Sequence, residues 1–212
     1  MDRQKKIEQY IARHLDEEDG ILRDLDRETH LKVLGARMIS GHLQGQVLTM
    51  FSKMIRPLRI LELGTFTGYS AICLARGLQP DGKLITIEID DELQQIANDF
   101  FIKAGLQDKI IQKIGPALEI IPTLSESFDL VFIDADKREY LAYYHAVFPK
   151  VKNGGFILAD NTLWNGKVLD EIDPGDKQTQ GIIDFNAYIK SDNRVEKIIL
   201  PLRDGLTIIR KK

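Results

Sequence analysis

Apolar positions along the chain change their period once, near Pro57. Before it they recur every three or four residues: Leu43, Val47, Leu48, Phe51 and Ile55 form one stripe, which predicts a helix over Gly41–Ile55. Helices are expected over Asp2–Leu15 and Leu22–Met38 as well, and Arg56-Pro57 ends the third. After Pro57, short unbroken apolar runs alternate with amphipathic stretches. "RILELG", "KLITIEID", "KIIQKIG", "DLVFIDA" and "GGFILADN" read as strands. "YSAICLARGL", "DELQQIANDFFIKAGL", a short segment near Ala117–Leu124 and "REYLAYYHAVFPKV" read as helices between them. Strands that are apolar throughout and separated by helices imply a parallel sheet covered on both faces. At the end the rhythm breaks. "VEKIILPL" and "GLTIIRK" are separated only by Arg203-Asp204, so they pair as an antiparallel hairpin. The expectation is one α/β domain of 212 residues, with a helical N-terminal cap (1–56) and a core (57–212) built on a mostly parallel seven-stranded sheet that ends in an antiparallel hairpin.

Composition narrows the class. The chain is 43% hydrophobic and 29% charged, with net charge −3, so it carries no global basic field that would invite nucleic acid. No apolar run is long enough for a bilayer, and Asp2-Arg3-Gln4-Lys5-Lys6 is not a signal-peptide core. The single cysteine, Cys73, lies in an apolar helical stretch and reads as a core residue; a cytoplasmic location is expected. His14, His30, His42 and His145 share no zinc-ligand spacing.

In a doubly wound sheet, ligands bind at the carboxyl ends of the strands, near the point where strand order reverses. Four of the five parallel strands deliver carboxylates there: Glu62, Glu88 with Asp90, Asp134 with Asp136, and Asp160 next to Asn161. Asp134 or Asp136 also suits the N-cap of the helix that follows. Capping does not account for acids inside strands, as at Glu62 and Glu88. The first strand opens into the Gly-rich loop "GTFTGYS", which includes Gly64, Phe66, Gly68 and Ser70. Gly64 and Gly68 let the backbone approach a ligand, although the loop is not G-x-G-x-x-G. Glu88, twenty residues after Gly68, stands where an acid binds ribose hydroxyls. This pair suits NAD or S-adenosylmethionine. Glu62 bears on the choice, because a carboxylate beside the loop repels a pyrophosphate and suits a ligand that carries an ammonium and a sulfonium. Asp134, Asp160 and Asn161 are all oxygen donors with no Cys or His nearby, which describes a hard-cation site: Mg²⁺ first, with Mn²⁺ or Ca²⁺ as alternatives.

These residues resemble the cation-dependent class I O-methyltransferases, which include caffeoyl-CoA and catechol O-methyltransferases. The likeness runs from about Met38 to Arg210, on "LELGTFTGYS", "IEID", "FIDADKREYLAYY", "GGFILADNTLWNGKV", Phe185-Asn186 and "LPLRDGLTIIRK". "DADK" with "DNTLWNG" is closer to the caffeoyl-CoA branch. The resemblance implies the Rossmann-like class I methyltransferase fold and a homodimer. By position it implies S-adenosyl-L-methionine contacts at Ser40, Glu62, Gly64, Phe66, Gly68, Ser70, Glu88, Ala117 and Asp134. It also implies metal ligands at Asp134, Asp160 and Asn161, Lys137 as general base, and a substrate bordered by Met38, Lys137, Trp164 and Asn165. The sequence departs from the family pattern twice. Pro116 precedes Ala117 and has no N–H to offer adenine, and "LDEIDPGDKQTQG" replaces the Arg/Tyr-rich stretch that serves CoA esters in plant members.

The implied chemistry is methylation of an aromatic small molecule with two vicinal hydroxyls. The cation lowers the hydroxyl pKa and fixes its direction. Lys137 accepts the proton, and the attack is in line on the sulfonium methyl. Trp164 would wall a flat substrate or pack under a loop; Tyr140, Tyr143 and Tyr144 read mainly as packing. The rival readings are a tRNA hydroxyuridine O-methyltransferase, an NAD-dependent oxidoreductase, which leaves Asp160-Asn161 without a task, and a non-catalytic ligand-binding domain.

Overall fold

The computed structural model describes residues 3–212, apart from the side chains at 4, 5 and 8. The first three helices are α1 (Arg3–Ala12), α2 (Gly20–Lys32) and α3 (Gly41–Ile55). The core follows as β1 (Arg59–Leu63), α4 (Tyr69–Ala75), β2 (Lys83–Glu88), α5 (Gln94–Lys103), β3 (Ile110–Ile114), α6 (Ala117–Ile120), β4 (Phe128–Ile133), α7 (Tyr140–Val147), β5 (Val151–Asp160), α8 (Lys177–Ser191), β6 (Val195–Leu200) and β7 (Leu206–Lys211). The expected helix over Leu22–Met38 ends early. The backbone is extended at Val33 and left-handed at Gly35, and a separate 3-10 turn covers Ala36–Met38. Asp2, the expected start of the first helix, lies outside the described residues.

The seven strands form one sheet in the order β3-β2-β1-β4-β5-β7-β6. The first five are parallel, and β7 runs antiparallel to both β5 and β6. Chain order reverses between β1 and β4, so the crevice forms where these two strands end. Both are buried on their two faces, which is why they read as unbroken apolar runs. Leu61, Leu63, Val131 and Ile133 pack with α7 and α8, whereas Ile60, Leu130 and Phe132 pack with α2, α4 and α5.

Helix α8 is not among the elements read from the apolar pattern. Asp176 caps it by accepting from the Thr179 N–H at 3.0 Å, and Ile182, Phe185 and Ile189 are buried along one side. Each such side chain contributes about 1.5–3 kcal/mol by leaving water. Gly181 lets α8 sit directly on the turn that carries Lys137: a Cβ at this glycine would stand 2.4 Å from the Lys137 carbonyl oxygen.

Candidate active site

Glu62 is completely buried at the end of β1. Thr86 donates to its Oε2 at 2.6 Å, and Thr65 in turn donates to the Thr86 hydroxyl at 2.5 Å. Its other oxygen, Oε1, is buried without a partner. Burial pushes the Glu62 carboxyl up to about 8; the hydroxyls of Thr86 and Ser70 oppose this, and the charges of Asp134 and Glu88 add to it. The loop after β1 turns left-handed at Gly64 (φ 94°), Phe66 (φ 48°) and Gly68 (φ 94°). Gly64 passes so close to the β4 exit that an added Cβ would stand 2.0 Å from the Asp134 carbonyl oxygen. Glu88 fixes the loop from the neighbouring strand: it accepts from Phe66 N–H at 2.7 Å and from the N–H groups of Ile89 and Asp90 at 2.9 and 3.1 Å. The N–H of Gly115 reaches the Glu88 carbonyl at 2.8 Å, and Ala117 opens α6 just beyond it.

At the β4 exit the two acids divide their work. Asp136 is the cap: it accepts from Arg138 N–H at 3.0 Å and pairs with the Arg138 guanidinium. Asp134 is not a cap. Its Oδ1 lies 2.7 Å from the Lys137 ammonium, whose side chain is only 9% exposed. Lys137 also donates to the Tyr140 hydroxyl at 2.7 Å, and Tyr140 donates to the Asp160 carbonyl at 2.9 Å. Burial, with the charges of Asp134 and Asp160, raises the Tyr140 phenol well above its ordinary range. Its ring packs as the sequence suggests, but its hydroxyl ties the lysine to the neighbouring strand end.

Asp160 is 3% exposed at the end of β5. Burial and the nearby Asp134 charge push its carboxyl up to about 6. Gln44 donates to its Oδ2 at 2.6 Å, and Arg203 donates to the Gln44 amide oxygen at 2.8 Å. Arg203 also binds the carbonyl oxygen of Ser40, so the hairpin turn, the start of α3 and the β5 exit are joined. After β5 the chain is left-handed at Asn161, Trp164 and Asn165 (φ 57°, 48° and 53°). Asp204 holds this loop by accepting from Asn165 N–H, and its carbonyl accepts from Leu163 N–H at 2.9 Å. Trp164 packs at the edge of the α7–α8 core with its indole N–H buried and unpartnered. Met38 stands 59% exposed just before Ile39. Of the six non-glycine residues with positive φ among the described residues, five (Phe66, Asn161, Trp164, Asn165 and Arg203) belong to these loops. Backbone strain of this kind concentrates at functional sites.

The model for the family described as O-methyltransferase matches residues 12–212. The chain belongs to this family. The O-methyltransferases similar to it include caffeoyl-CoA O-methyltransferase 1 of Eucalyptus globulus, 40% identical over 178 residues that span 79% of this chain and 72% of the relative. Among solved structures, the O-methyltransferase TomG of Streptomyces achromogenes, involved in tomaymycin synthesis and solved with SAM, superposes with a TM-score of 0.90 at 30% identity, covering 100% of both chains. The O-methyltransferase of Bacillus cereus, solved with SAH, superposes with a TM-score of 0.91 at 30% identity, covering 98% of this chain and 97% of its own.

For an O-methyltransferase, the donor set fits a hard cation: two carboxylates, one of them buried and raised by the other, and an adjacent amide. No group of three or more His, Cys, Asp and Glu side chains suited to a metal occurs among the described residues. The unpartnered Oε1 of Glu62 fits an ammonium. Sequence reasoning missed Gln44, Arg203 and Asp204. These act across up to 164 positions of chain, and only the left-over polarity of Gln44 within an apolar stripe hints at one of them. Among the described residues, no helix is long and apolar enough to cross a membrane.

Proposed function

We propose that this O-methyltransferase moves a methyl group from S-adenosyl-L-methionine to one hydroxyl of a vicinal-dihydroxy aromatic small molecule, with a divalent cation, Mg²⁺ first, held by Asp134, Asp160 and Asn161. The observation that carries this reading is the Asp134–Lys137 contact at 2.7 Å at the switch point of the sheet, beside the buried Asp160. A base and hard oxygen donors then stand together where the loop after β1 can present a donor molecule. The SAM- and SAH-bound relatives support the donor, and the caffeoyl-CoA O-methyltransferases support the aromatic acceptor.

In this proposal the residues divide the work. The Ser40 segment, Gly64, Phe66, Gly68 and Ser70 enclose the methionine end of the donor, with Glu62 facing its ammonium. Glu88 takes the ribose hydroxyls, and Ala117 borders the adenine. S-Adenosylmethionine supplies the electrophilic methyl. The cation, when bound, acidifies and orients the acceptor hydroxyl. Lys137, held by Asp134 and Tyr140, acts as the neutral amine: it takes the hydroxyl proton and becomes the ammonium as the oxygen–methyl bond forms and the sulfur–methyl bond breaks. Met38, Trp164 and Asn165 border the acceptor. Residues 1–56 act as a cap on the catalytic core at 57–212, and the chain works as a homodimer in the cytoplasm. Exposed Met50, Met54 and Leu34 supply apolar surface for the dimer, which light scattering tests.

The deciding assay offers a labelled methyl donor to catechols, CoA esters and hydroxyuridine-containing tRNA, with and without EDTA. Label should enter the catechols, stop in EDTA and return with Mg²⁺. Label in tRNA alone would move the substrate class, and undiminished transfer in EDTA would remove the cation from the proposal.

A further inference from the structure

Gln44 is polar, 1% exposed and set in the first turn of α3, on a face otherwise given to packing. Its amide has one arrangement open to it. Arg203 has only donors, so the Gln44 oxygen must face the guanidinium at 2.8 Å, and its NH₂ must face Asp160 Oδ2 at 2.6 Å. Asp160 is gripped a second time through its carbonyl oxygen, by the Tyr140 hydroxyl at 2.9 Å. Side chain and backbone of this one residue are therefore fixed from opposite sides, by α3 and by α7.

We propose that Gln44 is a positioning residue for Asp160: oriented by Arg203, it fixes the carboxylate in the attitude that a divalent cation requires. The inference rests on the cation reading above and adds to it residues outside the ligand set. A carboxylate at the end of a strand can rotate about its side-chain torsions, and a neutral donor locks it without the charge competition a lysine would bring. Partners of this kind around metal ligands are worth 10–100-fold in metal affinity. The Arg203 contacts to the carbonyls of Ile39 and Ser40 make the same guanidinium a brace for the donor side of the cleft.

The test uses the full chain and Mn²⁺ alone, titrated by calorimetry and by the loss of free-ion EPR signal, with S-adenosylhomocysteine titrated in parallel. Gln44→Met keeps length and removes the donor. Its Mn²⁺ Kd should rise roughly 10–100-fold, while S-adenosylhomocysteine binds as in the parent. Gln44→Asn, which withdraws the amide by one methylene, gives the same readout should the methionine variant not fold. In the Gln44→Met background, a further Arg203→Met change should cost no additional Mn²⁺ affinity. An unchanged Mn²⁺ Kd in Gln44→Met would overturn the inference, as would equal losses of Mn²⁺ and S-adenosylhomocysteine, which mark a general collapse of the α3 start. Additive losses in the double variant would overturn the part given to Arg203. If the parent protein bound no Mn²⁺, the cation reading itself would fall and this inference with it; binding by the parent with no effect at Gln44 would sink the inference alone.

Discussion

Tyr140 and Lys137 share a hydrogen bond whose direction is fixed. The phenol has one proton and two backbone carbonyls to give it to, Asp160 at 2.9 Å and Ile133 at 3.3 Å, so at 2.7 Å it can only accept from the ammonium. Removing that oxygen leaves Lys137 held by Asp134 alone and the Asp160 carbonyl without its donor. Tyr140→Phe should lower kcat about 10–100-fold while S-adenosylhomocysteine affinity stays as it was. The variant should also lose about 1–3 kcal/mol of stability, the cost of stranding a buried polar group. Steady-state kinetics and chemical denaturation check the two parts; unchanged kcat would reduce Tyr140 to packing.

Lys137→Ala should slow turnover by roughly 10²–10⁴-fold, the usual worth of a positioned base. Metal and donor binding should stay largely intact, and much of the lost rate should return at high pH, where the acceptor hydroxyl ionises unaided. Undiminished activity at neutral pH would make this lysine a structural counter-ion for Asp134. A collapse of metal binding would show that it shapes the donor set instead.

Glu62 carries the clearest pH signature. Its carboxyl sits at about 8 in the folded protein against an ordinary 4.5, chiefly through burial. The native state therefore holds the proton more tightly than the unfolded chain. The stabilisation is full below the unfolded value, shrinks as pH rises, and is gone above about 8. Glu62→Gln has no proton to lose, so without ligand it should exceed the parent in stability at pH 9, by about 2–4 kcal/mol. An ammonium-bearing ligand reverses the preference, since it needs the carboxylate. The parent's S-adenosylhomocysteine Kd should fall as pH approaches 8, and Glu62→Gln should bind weakly without that slope. Thermal melts and calorimetry at pH 6 and 9 decide both. A pH-independent parent Kd would place the ammonium elsewhere.

Gly64→Ala should be among the most damaging single changes. The methyl would stand 2.0 Å from the Asp134 carbonyl oxygen, on a backbone at φ 94°. A shift of either loop breaks the reach between the β1 and β4 exits, and the loss should be about 2–4 kcal/mol. Denaturant midpoints of this variant against Gly166→Ala provide the comparison. Gly166 also has positive φ (78°) but open space around its Cβ, so steric collision and backbone strain separate.

Sheet and helices were legible because β1, β2 and β4 are buried on both faces and write unbroken apolar runs, with acids at their ends. Helix α8 was harder to see. Its buried Ile182, Phe185 and Ile189 do keep a helical spacing, but they follow the polar stretch 170–180, and Gly181 looks like a breaker until the turn at Lys137 explains it. Asp134 and Asp136 could not be told apart from sequence, since either suits a cap; only the Arg138 N–H shows that Asp136 does the capping. Gln44 left only its polarity on an apolar face as a signal, and Arg203 left none, because their partners are distant in the chain and their meaning depends on where the hairpin turn lands.

The placement of β7 between β5 and β6 sets an order of events during synthesis. A ribosome releases β6 before the strand that must separate it from β5. The sheet can therefore grow to β5 as the chain emerges, but its last two strands must wait for each other. Arg203 and Asp204, in the turn that joins them, reach the Ser40 segment and the loop at Asn165 only then. A nascent chain can thus hold a nearly complete core while its cleft is still open, and premature termination within the final strand would leave a folded body without a working centre.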